Sequence, residues 1–136
     1  MRRTLTAFAA GFVAASCAAL ALAQQAPAEN RGMKADVRAA LDLGAQDLDG
    51  LAGRQLRMRE ITLDPGGVIA LHTHNGRPSL TYVLSGSLVE HREGVAEPRE
   101  YKAGEALTEG KDVTHWAENK GTVPVRLLAV DVFKPG

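Results

Sequence analysis

Residues 66–86 read Gly66-Gly67-Val68-Ile69-Ala70-Leu71-His72-Thr73-His74-Asn75-Gly76-Arg77-Pro78-Ser79-Leu80-Thr81-Tyr82-Val83-Leu84-Ser85-Gly86. Two apolar runs rich in Val, Leu, Ile and Thr are separated by Asn-Gly-Arg-Pro and closed by Ser-Gly, the punctuation of consecutive β-strands. Side chains at i and i+2 of a strand leave the same face, so His72 and His74 can direct both imidazoles to one point. Taken alone, such a pair is weak evidence for a metal site.

The same pattern extends outward in both directions. Short runs closed by Gly, Pro, Asn or Asp predict strands near 54–64, 68–74, 79–85, 87–92, 99–102, 105–108, 113–117 and 124–133, an all-β chain of antiparallel strands forming a sandwich or barrel. Asp64-Pro65-Gly66-Gly67, Arg92-Glu93-Gly94 and Glu118-Asn119-Lys120-Gly121 supply turns. In 54–64, Leu56 and Met58 fall on one strand parity and Ile61 and Leu63 on the other, as expected of a strand that is bulged or buried on both faces. Residues 35–48 suit either a short helix or a leading strand. Residues 24–34 are polar, with Ala, Pro and Gly and no period, and are expected to form a disordered lead-in. The expected division is a leader over 1–23, a lead-in over 24–50 and a single barrel domain over 51–136.

The N-terminus reads as an export signal. Arg2 and Arg3 form a basic start, Leu5 to Leu22 an Ala-rich apolar stretch, and Ala21-Leu22-Ala23 a small-x-small cleavage site that would leave Gln24 first. A membrane anchor needs about 20 strongly apolar residues, whereas Thr6, Gly11 and Ser16 interrupt this segment. The export route stays open: Arg2-Arg3 could belong to a twin-arginine signal, although the residues after it match that pattern poorly, and a lipoprotein site at Cys17 is disfavoured by Ala14 three residues before it and by the apolar run to Ala23. Cleavage predicts a periplasmic or secreted protein with no stable membrane insertion. It also removes the single cysteine, so a metal site in the remaining chain must use imidazole and oxygen ligands.

Composition narrows the function. With 45% apolar and 24% charged residues the chain is globular, and its 16 basic and 16 acidic side chains provide no basic field for nucleic acid. Cleavage would take Arg2 and Arg3 from the basic side, leaving a slight acidic excess.

Two separated groups of residues resemble the two motifs of the cupin superfamily. Gly66, His72, His74 and Gly86 match G-x5-H-x-H-x(3,4)-E-x6-G, and Gly104, His115 and Asn119 match G-x5-P-x-G-x2-H-x3-N. The resemblance covers the chain from about residue 50 onward and implies a double-stranded β-helix, the jelly-roll barrel. It also implies a divalent metal on His72, His74 and His115. Iron and zinc are the first candidates, with manganese, nickel or copper also compatible with imidazole.

Three positions depart from the motifs. Ser79 stands where the family has a metal-ligating glutamate, and Gly110 and Asp112 stand where it has proline and glycine. The family includes three-histidine members, among them thiol and diketone dioxygenases, so the substitution at 79 leaves metal binding possible. Whether another carboxylate replaces the glutamate is open, and neither Glu60, Glu90 nor Glu118 can be placed in the pocket from the sequence.

Around the histidines, Arg77 offers a forked donor for a substrate carboxylate, with a surface role as the alternative. Tyr82 offers a phenol to a ligand or, alternatively, packing. Trp116 is expected on the face opposite His115, packing between sheets or subunits. His91 is expected to be a solvated neighbour. A homodimer follows from the resemblance alone. Two functions remain: a metal-dependent enzyme of oxygenase or isomerase type acting on a small oxygen-rich molecule, or a non-catalytic cupin that captures a small ligand or the metal.

Overall fold

The structure, a computed structural model, describes residues 25–135, so the expected leader lies outside the described residues. Eight strands are described and no helix. They are β1 (Arg31–Asp42), β2 (Gln55–Thr73), β3 (Ser79–Ser85), β4 (Ser87–Arg92), β5 (Arg99–Lys102), β6 (Ala106–Glu109), β7 (Thr114–Glu118) and β8 (Val125–Phe133). All pairings are antiparallel, in the order β5-β4-β7-β2-β8-β3-β6, with β1 added to β2. The sheet rolls into a nearly closed jelly-roll barrel.

Strand β2 joins the two halves. Its first half, Gln55–Leu63, pairs with β8, and its second half pairs with β7 from Val68 to Thr73. The sequence reading expected two strands here with a turn at 64–67. Instead the backbone bends within one strand, and β1 pairs Met33 with Leu63 but Arg31 with Val68, so residues 64–67 bulge outward. Gly67 permits the close approach, since a Cβ there would lie 2.7 Å from the Asp64 carbonyl. Asn119 ties this bend to the second motif: Gly66 N–H donates to the Asn119 carbonyl, Asn119 N–H donates to that of Gly67, and its buried amide donates to Leu63 and Val123 carbonyls.

The ambiguous segment 35–48 is resolved as strand through Asp42, and β1 also takes in Arg31–Lys34, which the sequence reading had left in a disordered lead-in. Pairing along β2 supplies the backbone order that this polar stretch cannot obtain from burial.

Inward-facing positions of β2, β8, β3 and β6 align in rungs. Leu63 pairs with Val125, Ile61 with Leu127, and Leu127 in turn with Val83, forming with Leu88, Leu107 and Tyr101 the apolar floor. Each such aliphatic side chain contributes roughly 1.5–3 kcal/mol when fully buried. Toward the other end the rungs become polar: Arg59 lies level with Ala129 and Thr81, and Arg57 with Asp131, Ser79 and Glu109. The parity that suggested a strand buried on both faces has a simpler cause. Leu56 and Met58 face outward and are exposed, while Arg57 and Arg59 occupy the inward positions.

Candidate metal centre

His72 sits near the end of β2, directly across the ladder from His115 on β7, and His74 follows one residue beyond β2. The loop after His74 is pinned by Arg54, whose guanidinium donates to the Gly76 carbonyl at 2.8 Å. The three Nε2 atoms lie 3.0, 3.0 and 3.1 Å apart. His74 and His115 are buried and His72 half-buried.

The other ring nitrogens determine what these distances mean. His72 Nδ1 faces the Ala70 carbonyl at 2.8 Å, His74 Nδ1 the Arg77 carbonyl at 3.2 Å, and His115 Nδ1 the Glu90 carboxylate at 2.6 Å. Each partner is an acceptor, so each Nδ1 carries the proton and each Nε2 presents a lone pair. Three lone pairs aimed at one another repel. The Nε2 contacts are therefore not hydrogen bonds but the donor arrangement of a cation site, with each ring fixed from behind by its outer partner. Burial lowers the pKa of His72 and of His74 below the ordinary histidine value, although Glu109 and the Arg77 carbonyl work against the shift at His74. Both effects of burial favour the neutral, ligating form.

Glu90 is almost fully buried and also accepts from Arg92 Nε at 2.9 Å. Its burial raises the carboxyl pKa, but the hydrogen bonds from His115 and Arg92 outweigh this and hold it below the usual range. The remaining acids that the sequence reading considered lie elsewhere. Glu60 pairs with Arg38 and Arg126 on the outer surface, and Glu118 pairs with His91.

The histidines border a cavity of about 260 Å³ whose lining includes Arg59, Arg77, Ser79, Thr81, Glu109 and the apolar floor. Arg77 is thus at the pocket, 3.9 Å from buried Asp131. Tyr82 is not: it alternates with inward-facing Thr81 and Val83, and its side chain is exposed on the outer face. Trp116 faces away from the histidines, as alternation requires, and stacks on His91 with ring centroids 3.7 Å apart. His91 is therefore not a solvated neighbour but a half-buried ring held between Trp116 and Glu118.

Two pocket residues were missed by the sequence reading. Arg59 donates to Asp131 at 3.3 Å, yet its Nε is buried and finds no hydrogen-bond partner among the described residues. Burial lowers its pKa and Asp131 opposes the shift, so the charge is held in place at a cost. Glu109 is buried beside Ser79 and the histidines. Strand alternation from Leu107 would have turned it inward, a signal hidden by the brevity of β6.

A rolled antiparallel sheet with three converging histidines at the polar end of its interior defines a jelly-roll barrel equipped for a metal ion. The chain belongs to the cupin domain family, whose sequence profile matches residues 59–131. It is 33% identical over 103 residues to an oxalate-binding protein of Thermotoga maritima, covering 76% of this chain and 81% of that one. Its fold is similar to KdgF from a Halomonas species, with TM-score 0.57, 18% identity and coverage of 76% and 84% of the two chains. It is also similar in fold to an oxalate oxidase, with TM-score 0.57, 20% identity and coverage of 77% and 53%.

The outer partners of the histidines generate a prediction. Glu90→Gln removes the charge behind His115 while keeping its shape, and should weaken divalent-metal affinity by about 10–100-fold. Competitive titration against a chelating dye measures it, and unchanged affinity would show that Glu90 only fills space.

Proposed function

We propose that this chain is an exported cupin that binds a divalent metal through His72, His74 and His115 and captures a small oxygen-rich acid between that metal and Arg59. The observation that carries the reading is the buried, unpartnered Arg59 Nε in the cavity that the three Nε2 atoms border. An anionic ligand would supply the missing acceptor, and a guanidinium fork suits a carboxylate. Arg77, partly exposed at the same pocket, adds a second positive group. The cavity, about 260 Å³, has room for a small carboxylic acid. The relative named for oxalate binding supports a dicarboxylate of this size.

A bound divalent ion would supply fixed positive charge that attracts anionic oxygens and lowers the pKa of coordinated water. Imidazole donors suit iron and zinc first, with manganese, nickel or copper also compatible.

Turnover of the captured acid, by oxygenase or isomerase chemistry, is the second reading. The observation favouring it is that the three imidazoles occupy only part of a divalent ion's coordination shell, so that substrate would reach the ion directly.

Oxalate titrated into iron(II)-loaded protein under anaerobic conditions should bind saturably, and the metal-free protein should not bind it. Arg59→Lys should weaken binding at least about ten-fold, the cost of a fork replaced by a point charge. Equal affinity with and without metal would overturn the reading. Admitting oxygen to the loaded complex then separates the two functions: consumption of oxygen with loss of oxalate signifies oxygenase turnover, and stable binding signifies capture.

Export and pairing are proposed alongside. Exposed Leu80, Met58, Leu56 and Leu41 spread across the outer face of β3, β2 and β1, an apolar area suited to a second copy. Native mass spectrometry of protein recovered from outside the cytoplasm should show a dimer of chains beginning at Gln24. Monomers, or chains that retain residue 1, would contradict the corresponding part.

A further inference from the structure

The family's glutamate position holds Ser79, whose hydroxyl is directed to Glu109. The pairing of β3 with β6 puts Glu109 directly opposite Ser79. Opposed residues of an antiparallel pair project from the same face with neighbouring Cβ atoms, so a side chain at either position enters the same part of the barrel. Ser79 Oγ donates to Glu109 Oε2 at 2.5 Å, and Thr81 Oγ1 donates to the same oxygen at 3.2 Å. The carboxylate so oriented lies with Oε2 3.8 Å from His74 Nε2 and Oε1 3.7 Å from His115 Nε2.

Charge supports the same placement. Glu109 is buried, and among the described residues no lysine or arginine lies within ion-pair distance of it. Arg57, Arg59 and Arg77 all lie against Asp131 instead. A buried carboxylate needs a counter-charge nearby. Arg59 is near enough for its charge to act on Glu109, but its guanidinium is bonded to Asp131; the point on which the imidazole lone pairs converge offers the other place, with the two carboxylate oxygens 3.7 and 3.8 Å from two of its nitrogens.

We infer that the carboxylate ligand of this cupin has moved one strand sideways: Glu109 on β6 completes the metal site, and Ser79 and Thr81 position it. The cation then has three neutral nitrogens and one anionic oxygen, the donor set implied by the family motif, assembled from a different strand. Ser79 has a specific part in this. A glutamate at 79 would set two carboxylates against each other across the ladder, whereas the short hydroxyl leaves space and donates a hydrogen bond. Ser79 and Thr81 are positioning residues. The inference rests on the three-histidine site and is independent of which acid the pocket takes.

Cobalt(II) alone is the probe, read by competitive titration for affinity and by visible d–d absorption of the saturated protein for the ligand set. Four proteins are compared: wild type, Glu109→Gln, Ser79→Ala and the exchange variant Ser79→Glu/Glu109→Ser. Glu109→Gln should lose about 10–100-fold in affinity, in the range of disrupted metal-site partners, and change the absorption at saturation. Ser79→Ala should lose less and keep the wild-type spectrum. The exchange variant returns the carboxylate to the motif position and should recover both affinity and spectrum. If Glu109→Gln proves unfolded, the exchange variant decides alone. Wild-type affinity and spectrum in Glu109→Gln would overturn the inference, as would a folded exchange variant no better than Glu109→Gln. Failure of the wild type to bind cobalt would overturn the three-histidine site itself, a result distinct from either.

Discussion

Three imidazole nitrogens held about 3 Å apart, each with its lone pair inward, form an arrangement that repulsion would open unless a cation occupied the centre. The barrel holds the rings there from outside. Ladder pairing sets His72 against His115, the loop fixed by Arg54 returns His74 beside them, and two carbonyls and Glu90 fix the ring tautomers. Each of these contacts constrains orientation rather than adding much stability. Their combined effect is to hold three nitrogen donors in an arrangement that could take a metal ion.

The barrel interior is graded to match. Leu63, Val125, Ile61 and Leu127 exclude water from one end, and successive rungs bring in Arg59 and Thr81, then Arg57, Asp131, Ser79 and Glu109. Since β2 runs through both halves, its bend at 64–67 lets one strand contribute odd-numbered side chains to the floor and the arginines, and even-numbered His72 to the metal site. Charges placed at this end are close enough to interact strongly and too buried for water to screen fully. Asp131 takes on three arginines there, bidentate with Arg57 at 3.0 and 2.7 Å. That leaves Glu109 to face the histidines and Arg59 to face the cavity.

Much of this was legible in the sequence because it depends on local chemistry. Gly86 is required where φ reaches +77° and a Cβ would press 3.1 Å from the Pro124 carbonyl, so its presence marked a turn dependably. The i, i+2 histidines and His115 were equally visible. What escaped depends on pairing between distant strands. Glu109 is informative only once β6 is known to lie beside β3 in that register, and Arg59 only once its parity is known to face inward. Tyr82 misled for the same reason, since its strand was identified and its face was not. β1 was hidden because an edge strand held by backbone hydrogen bonds needs little apolar patterning.

The most direct test is an anomalous-scattering crystal structure of the metal-loaded protein, with data collected at the absorption edge of the metal. The account predicts one strong peak within bonding distance of Nε2 of His72, His74 and His115. A peak elsewhere, or a saturated protein in which the ring of His115 turns away from the other two, would contradict it.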